Sequence, residues 1–306
     1  MGGSRAEPAA RPGPDGSSPG TAATAPAAYR VGAASAASPG LKLDVRLTPA
    51  SGGVARQAVR MNELTNKVAL VTGGSRGIGA AIARRLAERG ADVAVTYARG
   101  HDQAHAVACE IKDTGRRAIA IEADSRNPDE VTGAVDRTAE MFGRLDIVVN
   151  NAGVFTVGPI GELGDEEFAH TMAVNVHAPY AASRAALRHL KPGGRIVNIG
   201  SNVAERTVFP GFTLYAMSKT ALIGMTKGLA RELGSREITV NLVHPGPTDT
   251  DANPAAGPNA DGIRAFTALE RYADAGEIAN VVSFLASDEA RYVTGASISV
   301  DGGFTI

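Results

Sequence analysis

The chain lacks most of the features that mark other classes of protein. It has a single cysteine, Cys109, in 306 residues. No disulfide can form within the chain, and a reducing compartment suits it. Cys109 is expected to be a buried small residue on a helix rather than a nucleophile. The formal net charge is −1, which gives no concentrated basic surface for nucleic acid. There is no run of about 18 apolar residues, so no membrane span is expected. The acids Asp249, Asp251 and Asp261 have no recognisable ligand spacing, so they read as solvated loop charges and no metal is expected. A cytoplasmic protein that works on a small molecule fits these absences.

The first 60 residues differ from the rest. Thirty of residues 1–40 are Ala, Pro, Gly or Ser, and six of them are proline. A segment of that composition cannot bury enough apolar surface to offset the entropy of ordering it. It is expected to be a disordered extension over 1–60, followed by one domain over 61–306. No apolar core follows the first basic residue, which disfavours a secretory signal. Arg5, Arg11 and Arg30 with few acids also fit an organelle transit peptide.

From Lys67 onward the pattern alternates. Short apolar runs at Val68–Thr72, Val93–Thr96, Ala118–Ile121, Ile147–Val149, Ile196–Ile199, Ile238–Val243 and Ile298–Val300 read as strands. Stretches near 77–89, 101–114, 128–142, 165–190, 215–233 and 276–286 read as helices between them. Such runs imply parallel strands buried on both faces, joined by right-handed crossovers. The fold class is therefore α/β, a single doubly wound parallel sheet of Rossmann type with helices on both faces. The stretch 249–267 is rich in Pro, Gly, Asn and Ala and reads as a long loop or lid.

Two motifs carry chemistry. The first strand leads into Gly73-Gly74-Ser75-Arg76-Gly77-Ile78-Gly79 and then a helix. Glycines allow close backbone approach, and the helix N-terminus offers unpaired N–H groups and positive potential to a pyrophosphate. Downstream, Tyr215-Ala216-Met217-Ser218-Lys219 follows Ser201 by 14 residues. A phenol and an ammonium four residues apart share one helix face. Beside a dinucleotide site this pairing reads as carbonyl reduction or alcohol oxidation. In NAD-preferring sites an acid at the end of the second strand holds the ribose diol. Here that strand ends in Tyr97, Ala98 and Arg99. Arg76 and Arg99 suit a phosphate instead, so NADP(H) is the expected cofactor.

With these residues in view, the chain from about 65 to 304 resembles the short-chain dehydrogenase/reductase family. TGGSRGIG at 72–79, NNAG at 150–153, Asn175, Ser201, Tyr215 with Lys219, PGPTDT at 245–250 and the closing VTGASISVDGG match in order. The likeness is strongest to members acting on 3-oxoacyl thioesters and other small carbonyls. SNVAERTVFPGFTLYAMSKTAL and HPGPTDTDANPAAGP look like the branch that includes a bacterial cyclic-di-GMP-binding biofilm dispersal mediator. The resemblance implies strand order 3-2-1-4-5-6-7 and a homotetramer or homodimer. It also implies that Gly73, Gly77 and Gly79, with Ile78, form the pyrophosphate turn, with Ser75 and Arg76 near the 2′-phosphate. Asp124 looks like the adenine contact. Asn151, Ala152 and Gly153 would lie beside the adenosine ribose, and Pro245, Gly246, Thr248 and Thr250 would fix the nicotinamide amide.

The expected catalytic set is Asn175, Ser201, Tyr215 and Lys219. Tyr215 would supply a proton to the carbonyl oxygen, and Ser201 would donate a hydrogen bond to it. Lys219 is expected to favour phenolate and lower the tyrosine pKa; by resemblance it would also hold the nicotinamide ribose. Asn175, again by resemblance, would bend its helix and hold a water for proton relay. His177 and His244 are read as packing or hydrogen-bonding residues rather than substrate contacts. Ser201 and Tyr215 are one residue further apart than in several familiar members, which should alter pocket shape before chemistry. Arg206 and Arg264 are candidate contacts for a carrier protein. The alternative function is a regulatory protein that binds cyclic-di-GMP on the same fold.

Overall fold

Every residue of the first strand, Val68–Val71 (β1), is buried. Its side chains point alternately into two separate apolar layers: Val68 and Leu70 into one, Ala69 and Val71 into the other. That is how a strand covered on both faces behaves. The computed structural model describes Gly2 and residues 63–306; apart from Gly2, the expected extension over 1–60 lies outside the described residues.

The remaining strands are Asp92–Tyr97 (β2), Ala118–Glu122 (β3), Ile147–Asn150 (β4), Arg195–Ile199 (β5), Thr239–Pro245 (β6) and Ser297–Val300 (β7). They form one sheet in the order β3-β2-β1-β4-β5-β6-β7, and every pairing is parallel. The strand order reverses between β1 and β4, which opens a crevice at their carboxyl ends.

One face of the sheet is covered by Gly77–Glu88 (α1), His101–Asp113 (α2) and Ala275–Ala286 (α8). The other is covered by Pro128–Phe142 (α3), Ala178–Ala186 (α5) and the long Thr213–Leu233 (α6). Asp165–Met172 (α4) leads into α5, and Ala260–Arg264 (α7) lies in the segment after β6. Among the described residues no helix is long and apolar enough to cross a membrane.

Three expectations need correction. The stretch 165–190 is not one helix. It divides into α4, a π-helical turn at Ala173–His177, and α5. Pro179 has no N–H to donate to Asn175 four residues back, so the regular ladder cannot pass through this point. The stretch 249–267 is not a plain loop, since it contains α7. Cys109 is exposed rather than buried. Ala104, Val107, Ala108 and Ile111 form the buried stripe of α2, and helical spacing puts Cys109 off that stripe.

Below the crevice lies a buried polar knot. Asn150 donates to Asn198 Oδ1 at 2.8 Å and to Ser183 at 3.1 Å. Asn198 in turn donates to Thr226 at 2.9 Å. These bonds tie β4, β5, α5 and α6 into one unit beneath the site and satisfy both side-chain amides as donors, while Asn150 Oδ1 is left without a partner.

Candidate active site

The glycine turn is closed by its neighbours. Gly73 N–H donates to Thr96 Oγ1 at 3.1 Å, and Gly74 N–H donates to the Thr96 carbonyl at 2.9 Å. Asn151 Nδ2 donates to the carbonyls of Thr72 and Gly73 at 2.9 and 3.1 Å. Gly73 and Gly77 have φ of +63° and +55°, which glycine adopts without strain. A Cβ on Gly79 would sit 2.2 Å from the Gly73 carbonyl oxygen, so no larger residue fits there. The N-cap of α1, Arg76, makes no side-chain capping bond. The first N–H groups of α1 therefore face the crevice without a side-chain acceptor, as a phosphate site needs. This cradle fits a dinucleotide pyrophosphate.

Arg76 and Arg99 are both exposed. Ser75 Oγ lies 3.7 Å from where a Cβ on Gly100 would stand, so the turn and the end of β2 are neighbours. Among the described residues no carboxylate forms an ion pair with either arginine. Asp124, after β3, is engaged elsewhere: Arg126 holds its carboxylate at 2.8 and 2.5 Å. The Arg126 hydrogen bond keeps the Asp124 pKa below the ordinary carboxylate value.

A cleft of about 380 Å³ runs from the turn to Tyr215. Of the expected residues, Arg76, Gly77, Ile78, Gly79, Asn151, Gly153, Ser201, Tyr215, Lys219, Pro245, Gly246, Thr248 and Thr250 line it. Gly73, Ser75, Arg99, Asp124, Ala152 and Asn175 do not. Ala152 borders a separate small cleft with Thr72, Thr96 and Ser125. Across the cleft, Thr250 Cγ2 lies 3.4 Å from a Cβ built on Gly77. Gly246 N–H donates to Val300 at 3.0 Å, and a Cβ there would meet Asp301 Cα at 2.5 Å. The end of β6 is thus pinned against β7.

Tyr215 and Lys219 sit on one face of α6, as the spacing requires. Lys219 is 4% exposed. Its Nζ donates to the Ile199 carbonyl at 3.1 Å and lies 5.8 Å from the Tyr215 ring centroid. Burial pulls the Lys219 pKa down to about 8. For Tyr215 the expectation fails: its pKa is raised, chiefly by burial, while a hydrogen bond with Ser201 pulls the other way. The ammonium is aimed at a backbone carbonyl rather than at the phenol oxygen, so desolvation decides the direction.

Asn175 lies in the π-helical turn and is fully buried. Its Oδ1 accepts from Val154 N–H at 2.8 Å, and its Nδ2 donates to the Val154 carbonyl at 3.0 Å and to Ser218 at 2.9 Å. A Cβ on Gly153 would lie 3.3 Å from Lys219 Nζ and 3.4 Å from Asn175 Oδ1. These two side chains therefore converge behind Gly153.

Sequence reasoning missed the support under Ser201. His177 is exposed and off the cleft, but His244 is fully buried beneath Ser201. His244 Nδ1 accepts the Ser201 backbone N–H at 3.2 Å. That makes Nε2 the protonated nitrogen, and it has no hydrogen-bond partner; Glu205 Oε1 is 3.9 Å away. Burial lowers the His244 pKa and keeps the ring neutral. Gly200 is needed for this contact, because a Cβ there would meet His244 Nδ1 at 2.5 Å. The residues VHPG at 243–246 contain the signal, but only the β5–β6 pairing puts His244 below Ser201.

The family model described as Enoyl-(Acyl carrier protein) reductase matches residues 73–305. A short chain dehydrogenase from Burkholderia cenocepacia, solved in complex with NADP, is 54% identical; the match covers 80% of this chain and 100% of that one, with a TM-score of 0.79. This chain belongs to the short-chain dehydrogenase/reductase family. Among characterised members, the cyclic-di-GMP-binding biofilm dispersal mediator protein of Escherichia coli is 45% identical over 244 residues, covering 80% of this chain and 99% of that protein. Versicolorin reductase of Emericella nidulans is 41% identical over 253 residues, covering 78% and 96%.

Proposed function

We propose that residues 61–306 form an NADPH-dependent oxidoreductase that transfers hydride between nicotinamide and a small carbonyl or alcohol. The observation that carries this reading is the meeting of Tyr215, Ser201 and Lys219 at one end of a cleft whose other end is the glycine cradle. Bound NADPH supplies the hydride. Tyr215 gives its proton to the carbonyl oxygen, and Ser201 donates a hydrogen bond to the same oxygen as charge builds there. The raised pKa of Tyr215 keeps the phenol protonated near neutrality, which suits the reductive direction. Lys219 would hold the nicotinamide ribose hydroxyls, and through them would return a proton to the phenol. Asn175 fixes the π-helical turn and the water from which Lys219 is resupplied.

The cradle would hold the pyrophosphate, Asn151, Ala152 and Gly153 would hold the adenosine ribose, and Asp124 would contact the adenine once released from Arg126. Pro245, Gly246, Thr248 and Thr250 hold the nicotinamide amide. Arg76, Arg99 and Ser75 receive the 2′-phosphate. Replacing both arginines by alanine should raise the Michaelis constant for NADPH by at least about tenfold and leave that for NADH nearly unchanged. Equal losses for both cofactors would count against this assignment.

The enzyme is read as cytoplasmic and as a homotetramer or homodimer. Supporting self-association, Phe168 on α4, Tyr180 on α5 and Met217 on α6 are 48%, 48% and 44% exposed. A 3-oxoacyl thioester is one candidate substrate, supported by resemblance alone. The decisive experiment follows loss of NADPH absorbance over ketones, diketones and 3-oxoacyl thioesters. Turnover of any of them supports the reading. Saturable calorimetric binding of cyclic-di-GMP with no turnover would favour the second reading, a regulatory nucleotide binder, which draws its support from the Escherichia coli relative.

A further inference from the structure

The chain has eight phenylalanines, and five of them meet at one place. Phe155 stands edge-on to the Tyr215 ring at 4.8 Å and to Phe212 at 5.4 Å. Phe212 neighbours Phe209 at 5.7 Å, Phe209 neighbours Phe266 at 5.4 Å, and Phe266 neighbours Phe304 at 5.5 Å. The result is a continuous aromatic wall that begins at the phenol of Tyr215. Phe155, Phe209, Phe212 and Phe304 line the cleft itself. Phe155 comes from the loop after β4, and Phe209 and Phe212 from the loop after β5. Gly158 N–H donates to the Gly211 carbonyl at 2.9 Å and joins the two loops, so the wall is assembled before any substrate arrives.

Much of this apolar surface is open. Phe155 is 58% exposed and Phe266 is 38% exposed. Clustered ring surface left in water beside a reactive group marks a place where an apolar partner binds. The charges around it narrow the choice. The cationic side chains lining the cleft are Arg76, at the glycine turn, and Lys219, at the floor. The candidate carrier contacts are committed elsewhere. Arg206 donates to the carbonyls of Phe304 and Ile306, both at 2.8 Å. Arg264 donates to Asp261 at 2.7 Å and to the Ala255 carbonyl at 3.1 Å. Asp251 adds a negative charge to the lining. A phosphate-bearing thioester carrier would meet an acid there and neither of those two arginines free.

We propose that this wall is a subsite for neutral aromatic carbonyl compounds, aryl ketones and aryl-substituted 1,2-diketones. The aryl ring lies among Phe155, Phe209 and Phe212, and the carbonyl oxygen lies at Tyr215 and Ser201. This assignment rests on the reductase reading. In an aryl ketone the ring is one bond from the carbonyl carbon. Ring and oxygen therefore reach the adjacent Phe155 and Tyr215 together, and edge-to-face contacts favour a ring over an alkyl chain there. The carbon accepts hydride from NADPH, the oxygen accepts the Tyr215 proton, and the products are the aryl carbinol and NADP⁺.

The test compares 1-phenyl-1,2-propanedione, butane-2,3-dione and acetoacetyl-coenzyme A as substrates of the full chain with NADPH. The aryl diketone should have the highest kcat/KM, by about tenfold or more. Phe155→Ala alters an exposed side chain and should fold normally. It should lower kcat/KM for the aryl diketone about fivefold, mainly through KM, and narrow its advantage over butane-2,3-dione. Calorimetric titration of the Tyr215→Phe variant loaded with NADP⁺, which cannot deliver hydride, should rank the same three compounds in the same order. Equal or better use of butane-2,3-dione or the thioester would overturn the subsite and leave the reductase standing. An aryl-to-alkyl ratio unmoved by Phe155→Ala would also overturn it. No reduction of any carbonyl would remove both readings.

Discussion

Tyr215→Phe should lower kcat for carbonyl reduction by about 10²–10⁴-fold while the affinity for NADPH stays within about twofold. The substitution removes one hydroxyl and keeps the ring that touches Phe155. The cradle at 73–79 lies at the far end of the cleft and does not depend on it. The nearby ammonium of Lys219 donates to the Ile199 carbonyl, so it does not stand in for the missing hydroxyl. Ser201 remains and can still hold the carbonyl oxygen, so a residual rate above the uncatalysed reaction is expected. Stopped-flow fluorescence for cofactor binding and absorbance loss for turnover separate the two effects. A variant with near-normal kcat would reject Tyr215 as proton donor, whereas a parallel loss of NADPH affinity would mean that the phenol also supports the cofactor.

Lys219→Met should abolish most turnover and yet raise the thermal stability of the cofactor-free protein at pH 7. A lysine whose folded pKa is about 8, below the ordinary value of 10.5, is a site where the unfolded chain binds the proton more tightly. Below pH 8 both states are protonated, and the full penalty of burying the charge, about 3 kcal/mol, opposes folding. The penalty fades as pH rises from 8 to 10.5, so the wild-type protein gains stability from this group over that window. Methionine carries no charge and fills a similar volume. It loses the bond to the Ile199 carbonyl, which costs about 1–2 kcal/mol. A net gain of about 1–2 kcal/mol remains, or a few degrees in Tm for a domain of this size. Calorimetry of wild type and variant at pH 7 and pH 10 checks both the sign and the window. A lower Tm for Lys219→Met at pH 7 would show that the ammonium stabilises the empty fold, against this account.

The expected strand positions match the sheet to within a residue or two at each end. Strands covered on both faces must be apolar without interruption, and glycine turns and polar helix faces bracket them. The Tyr215 and Lys219 pairing was equally legible, since α6 makes a spacing of four into adjacency. The break at 173–177 depended on a bond that Pro179 cannot make and on a side chain, Asn175, tied to Val154 from 21 residues away. No local period reports either. The direction of the Tyr215 pKa depended on where Lys219 Nζ points, and that is fixed by β5. The aromatic wall draws on the loops after β4 and β5 and on Phe266 and Phe304 from later in the chain, so its members read singly as ordinary apolar residues. Cys109 is different, because the spacing of Ala104, Val107, Ala108 and Ile111 contains its exposure.

Ser201 is anchored through its main chain by an imidazole on the adjacent strand and by the short turn at 202–204, whose Ala204 N–H donates to the Ser201 carbonyl at 3.0 Å; among the described residues no hydrogen bond to Ser201 comes from 206–212. Insertions and deletions between 206 and 212 can therefore redraw the substrate wall while the hydroxyl keeps its aim. Selection, natural or in the laboratory, can broaden the range of accepted carbonyls there without relearning how to reduce them.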